Sequence, residues 1–334
     1  MEAVSESFWN PSLSSYHLPL PNSLELDLDD HRALKHYQST YSLYRTTKDP
    51  NWSTHMVLLR LGSHDDMIMH LLLAVSINDL QIRKGDLSWS QQAHDHFQLG
   101  ARLLINNMQD NTELKHISLM ASFFFIYLYM TKRQSIAPQQ LRKLSLAVTN
   151  YVKSYNLDSL CTHSLQSPDM PTNSFTGFND TRSLLARLIM WTFDEDVKCS
   201  FQGAGGYFAR HLTDHGSRTK DVYDVSRNVL SVYFGAEYPI DQNIDDQQNS
   251  TVLEFLWALI PLWQDINDIP HHTDQSLLNL YARIEQTFAL LGEVRNATNS
   301  SMSLTKSRNT SQSSNSRRKE QALAPEFLSM QTTT

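Results

Sequence analysis

Apolar residues recur along the chain at three- and four-residue spacing, and strict alternation over a strand length is hard to find. The pattern predicts an all-α protein. Between His64 and Arg83 the apolar set Ile68, Leu71, Leu72, Val75 and Ile82 makes one helical stripe, with Ser63, Asp65 and Asp66 at its start, where a cap and negative charge favour the helix dipole. Phe97, Ala101, Leu104 and Met108 make a second stripe. Leu184, Leu185, Leu188, Trp191 and Thr192 make a third, and Leu277, Leu280, Tyr281, Ile284, Phe288 and Leu291 form a last one that Gly292 is expected to close. Further helices are expected at about 30–46, 138–156, 219–234 and 250–266, with Pro138 and Pro270 placed where helices begin.

The longest apolar run, Ile117 to Met130, falls short of the roughly 20 residues that cross a bilayer and reads as a buried core helix. Residues 1–28, the stretch Leu165–Asp180 and the tail beyond about Glu293 lack such stripes. The expected organisation is therefore an N-terminal segment 1–28, a helical domain 29–295 with a long loop at about 165–180, and a disordered Ser/Thr/Asn-rich tail 296–334. The fold expected is an irregular multi-helix bundle, divided by that loop into two helical halves.

Composition narrows the function classes. The chain has 334 residues, 40% of them hydrophobic, enough for a sizeable core. Its net charge of −7 lacks the basic excess that would screen a nucleic-acid backbone over a broad face. Only Cys161 and Cys199 are present, which excludes a disulfide scaffold and zinc sites built on paired cysteine motifs. The first residues show neither a basic nor an apolar leader region, so a reduced intracellular chain is expected.

The densest glycine cluster, Gly203, Gly205 and Gly206 in SFQGAGGYF, could be a phosphate cradle or a packing turn. A dinucleotide fingerprint needs a small residue where Phe208 stands, and a Walker loop needs a lysine that does not follow Gly206. The cluster reads as a helix C-cap and tight turn. Asp65-Asp66 and Asn78-Asp79 do not complete the paired oxygen-ligand motifs of a magnesium-dependent terpene synthase. His211 and His215 share a helix face, but Leu212 stands where a zincin has its glutamate; His94/His96 and His271/His272 have no partner at metal spacing. Asp194-Glu195-Asp196 reads as an acidic, solvated helix end, and no nucleophile elbow is present. No catalytic, cofactor or metal-binding residue is expected. Arg317, Arg318 and Lys319 are a candidate nuclear-import signal.

Three stretches together resemble the fungal-specific transcription factor regulatory domain. Met67–Asp86, MIMHLLLAVSINDLQIRKGD, is similar to that family's LLHAILALSAxHL helix, and AHDHFQLGARLLINNM resembles the helix that follows. Arg182–Leu212 is similar to the segment in which an Arg/Leu-rich helix runs through Trp and Asp into a glycine-rich turn. Order and spacing hold over roughly 31–295. The resemblance implies an all-helical effector domain of a nuclear transcriptional regulator. The departure is the six-cysteine zinc cluster that usually precedes it; without one, direct sequence-specific DNA binding is not carried over. The expected partners are a DNA-bound factor or co-regulator, with a small apolar ligand between helices as an added expectation and no membrane. The alternatives are a terpene-synthase-like enzyme of secondary metabolism and a cytoplasmic helical scaffold.

Overall fold

The computed structural model describes residues 24–46, 48–85, 90–108, 113–132, 138–162, 177–269 and 277–296. Helix is the only regular structure among the described residues, so the all-α reading holds. Four of the early helices begin where a short polar side chain takes up free N–H groups. Asp27 and Asp30 form a reciprocal capping box at α1 (Leu28–His36). Ser53 caps α3 (Thr54–Gly62), Asp65 caps α4 (Asp66–Arg83) through Met67 and Ile68, and Ser90 caps α5 (Gln91–Asn107). The cap of α4 is thus Asp65.

Between α1 and α2 (Ser42–Arg45) the helix widens into a π-helical stretch, Tyr37–Tyr41. Pro138 does open α7 (Pro138–Tyr155), which is followed by α8 (Leu157–Thr162). Pro270 lies outside the described residues. The helix that bears Trp191, α9, begins at Gly177 and runs to Phe201, so part of the stretch expected to be loop is helical. The remaining helices are α10 (Tyr207–Asp214), α11 (Gly216–Arg227), α12 (Val229–Phe234), α13 (Ile240–Gln248) and α14 (Ser250–Asn267), and a last one over 277–296. Gly292 lies inside that last helix and does not close it. Pro261 stands inside α14, where its ring removes one backbone hydrogen bond.

The chain forms two compact units: one takes in the residues up to Asp246 and 263–269, the other 247–262 and the helix over 277–296. In the first, α6 (Glu113–Thr131) is the central rod, packed between α4 and α9. Its residues 119–130 are buried all round, as their unbroken apolar character requires. No helix among the described residues is long and apolar enough to cross a membrane. α5 and α1 cover α4, while α10, α11 and α12 cover α9.

The α4–α5 contact is close because α5 has Gly100 there. A Cβ at that position would lie 2.6 Å from Leu71 Cγ and 3.2 Å from the Met67 carbonyl oxygen. Alanine favours a helix by about 1 kcal/mol over glycine, but forcing two packed helices apart costs about 1–3 kcal/mol. Leu71 is fully buried and the Met67 backbone lies on the same side, so the second effect should win. Gly100→Ala is expected to lower the urea midpoint and Gly100→Val to lower it further; a rise in the midpoint for alanine would show that the helices give way freely.

Candidate functional site

The glycine cluster resolves into two linked devices. α9 ends in a Schellman turn, in which Ala204 N–H donates to the Cys199 carbonyl at 2.9 Å and Gly203 N–H to the Ser200 carbonyl at 2.9 Å. Gly203 takes the left-handed conformation this turn needs, with φ +74°. The chain then passes through Gly205 and Gly206, at φ +93° and +87°, into α10. The expected C-cap and tight turn is present.

The start of α10 does hold an anion, and the anion is the protein's own. Asp196 Oδ1 accepts from Gly206 N–H at 3.1 Å and from Tyr127 Oη at 2.9 Å; Oδ2 accepts from Ala209 N–H and Ser145 Oγ, both at 2.9 Å. Ser145 Oγ in turn accepts from Tyr207 N–H at 2.9 Å and Phe208 N–H at 3.2 Å. Every free N–H of the α10 terminus is thereby satisfied. Burial pushes the Asp196 carboxyl up from its ordinary value, opposed by the donors from Ala209, Gly206, Ser145 and Tyr127. The reading of Asp194-Glu195-Asp196 as a solvated helix end is therefore corrected. Asp196 is fully buried and Glu195 nearly so, because α6, α7 and α10 close over that face of α9.

A second buried carboxylate ties the other side of the core. Asp79 on α4 accepts from His36 Nε2 at 3.0 Å, Arg83 Nε at 2.7 Å and Lys132 Nζ at 2.8 Å. Burial alone would raise its pKa, but these three donors outweigh it and hold the carboxyl well below the usual carboxylate range. Beside it, Arg83 lies over the Tyr44 ring at 4.3 Å, and Arg45 and Lys132 lie over Tyr41 at 5.5 and 5.9 Å. Arg45 also approaches Glu195 at 3.6 Å, and Lys198 reaches Glu195 and Asp194. Tyr41 Oη is buried without a hydrogen bond of ordinary geometry.

Under this cluster the π-helical stretch stacks Tyr37 on Tyr41, ring centres 5.3 Å apart, and both rings meet His55 edge-on. His55 also lies against Trp191 at 5.0 Å. Trp191 and Phe97 are half-buried, and Phe97 stacks on Tyr129 at 4.4 Å. Tyr37 Oη and His55 Nδ1 share a hydrogen bond at 2.9 Å. Burial, with the Arg45 charge second, pushes His55 down to about 3.

A third constellation joins residues far apart in sequence. Asp30 Oδ1 accepts from His96 Nε2 at 2.9 Å, and His96 Nδ1 meets His70 Nδ1 at 2.9 Å. For Asp30, burial is outweighed by the His96 hydrogen bond and charge, which hold the carboxyl below its ordinary value; burial and His96 push His70 down to about 4. Sequence spacing gives His96 no partner, since nothing local brings residue 70 beside residue 96.

The remaining candidates are placed as follows. Asp65 spends its carboxylate on the α4 cap, and Asp66 lines an open cavity of about 380 Å³ with His64, Asp65, Met67, Leu103, Asn107 and Lys115. That lining is polar and charged, unlike a site for an apolar ligand. His215 Nδ1 donates to the His211 carbonyl at 2.8 Å, with the rings 4.8 Å apart on the surface. Cys161 and Cys199 are both buried, their thiols pushed up by burial. Arg317, Arg318 and Lys319, and His271 and His272, lie outside the described residues. Among the described residues no group of three or more His, Cys, Asp or Glu is arranged to hold a metal ion. Comparison with known proteins returns no matching family model, no matching curated protein and no matching solved structure.

Two outcomes follow from this geometry. Asp196→Ala leaves Tyr127, Ser145 and two backbone N–H groups without their acceptor, and should cost on the order of 3–5 kcal/mol in chemical denaturation. Gly205→Val, whose Cβ would fall 2.8 Å from Asp196 Oδ1, should act in the same direction; protection of the turn by added nucleotide would instead assign it to a ligand. The second outcome concerns acid. His55 titrates lower in the fold than in the unfolded chain, so its contribution to stability is complete above about pH 6.5 and is lost as pH falls toward about 3. His55→Gln is expected to remove about one proton's worth of pH dependence from the denaturation midpoint across that window. An unchanged slope would mean that His55 is already solvated.

Proposed function

We propose that this chain is a transcriptional regulator whose helical effector domain acts in the nucleus through contact with a DNA-bound factor or co-regulator. One observation carries the reading: the second compact unit exposes large apolar side chains on both of its helices. Leu253 and Leu256 on α14, and Leu278, Tyr281, Phe288 and Leu291 on 277–296, are each between 37% and 68% exposed. On the last helix these fall at i, i+3, i+10 and i+13, one broad stripe beside the stripe of Leu280 and Thr287 that is buried. An amphipathic partner helix is the occupant whose periodicity fits such a stripe, since its own apolar positions repeat at the same spacing. The resemblance over Met67–Asp86 and Arg182–Leu212 supports the same reading, with Arg317, Arg318 and Lys319 as its import signal.

The reading is tested by tethering the chain to an unrelated DNA-binding domain beside a reporter gene. The tethered chain should change reporter output several-fold. Tyr281→Glu with Phe288→Glu should cancel that change while the far-ultraviolet circular dichroism stays as in the parent. Reporter output indifferent to the tethered parent chain would overturn the proposal.

A further inference from the structure

His70 and His96 face each other across the close α4–α5 contact, with ring centres 5.2 Å apart and planes inclined by 38°. Their Nδ1 atoms lie 2.9 Å apart, within hydrogen-bond distance of each other. We propose that the two Nδ1 atoms form a site for a borderline divalent transition metal, Zn²⁺ or Cu²⁺, whose remaining positions are filled by water. This site goes beyond the regulatory reading and does not depend on it.

Three features of the pair support this. Two Zn–N bonds at tetrahedral angle place their nitrogens about 3.3 Å apart, so the rings need open by less than half an ångström. His96 already donates its other ring N–H to the Asp30 carboxylate, which itself is held by Gln92 Nε2 at 3.0 Å. That is the outer hydrogen bond that fixes the tautomer and basicity of a metal-ligating imidazole. Finally, both rings are part-exposed, which leaves room for water on the open side.

The proton balance is simple. His96 presents an Nε2 proton to Asp30, and with His96 neutral the single proton between the Nδ1 atoms belongs to His70. The ion takes that proton's place, and His70 remains neutral by carrying its proton on Nε2 instead. No ligand need ionise. Two imidazoles with water favour Cu²⁺ over Zn²⁺ and offer nothing to the hard cation Mg²⁺.

Equilibrium dialysis of the intact chain near neutral pH, with Zn²⁺, Cu²⁺ and Mg²⁺ in separate arms, tests the site. One tightly held Zn²⁺ or Cu²⁺ per chain is expected, with Cu²⁺ the tighter and Mg²⁺ not retained. His70→Gln and His96→Gln should each abolish this binding, and Asp30→Asn should weaken it about 10- to 100-fold. His211→Gln, which removes one ring of the His211/His215 pair at the end of α10, should leave it intact. Because the Gln variants also remove rings from the α4–α5 contact, imidazole resonances of the parent chain provide a readout independent of folding. Zn²⁺ should shift those of His70 and His96 among the fourteen histidines. Binding that survives both Gln variants, binding lost with His211→Gln, or resonances of His70 and His96 indifferent to Zn²⁺ would each overturn the assignment.

Discussion

The fold turns on one buried carboxylate. Asp196 sits on α9 but completes α10, and its partners on α6 and α7 make it the point where four helices meet. The arrangement follows from an unavoidable obligation: a helix that starts inside a protein must find acceptors for its first N–H groups. A single carboxylate with a serine beside it satisfies all of them here. Gly205 and Gly206 are required because a side chain on either would strike Asp196 or Ser200. This is why the turn does not cradle a phosphate. The positive end of the α10 dipole already faces a negative group, and a second anion would be repelled by the first.

The same device recurs. Asp30 joins α1 to α5 through His96 and Gln92, Asp79 joins α4 to α1 and α6, and Asp158 joins α8 to α11 through Arg218 at 3.0 Å. Each is buried, and each links elements distant in the chain. A buried ion pair contributes little net stability, because the desolvation cost roughly offsets the attraction. Its effect is discriminating: a misplaced helix leaves a charge buried without partners, which costs far more than an imperfect apolar contact. In a bundle of irregular helices with similar apolar faces, these four carboxylates specify which helices meet and at what register.

Local features were legible in the sequence. The helices of Asp66–Arg83 and Pro138–Tyr155, the buried run through Met130 and the turn at Gly203 all follow from patterns within about twenty residues. What escaped reading is non-local. Asp194-Glu195-Asp196 resembles any acidic helix end until α6, α7 and α10 are seen to cover it. His70 and His96 are 26 positions apart, and only the antiparallel packing of α4 on α5 makes them neighbours. Gly100 had one available signal, a glycine inside a strong helical stripe, which commonly marks a close approach of another backbone. Gly292 misled for the opposite reason, since a glycine tolerated inside an exposed helix looks the same in sequence as one that ends it.

The π-helical stretch explains why His55 is sensitive to acid. An extra residue in the turn leaves a weaker backbone ladder, and the loss is offset only if the widened turn presents side chains that pack better than a regular one would. Tyr37 and Tyr41 meet that condition, because stacked on each other they close over His55 from two sides. The enclosure removes water from the imidazole, and Arg45 above the Tyr41 ring adds a like charge against its protonation. Neutral His55 is therefore part of the packing of that turn. A proton there would place a cation beneath another cation in a buried site, so falling pH weakens the packing of this turn.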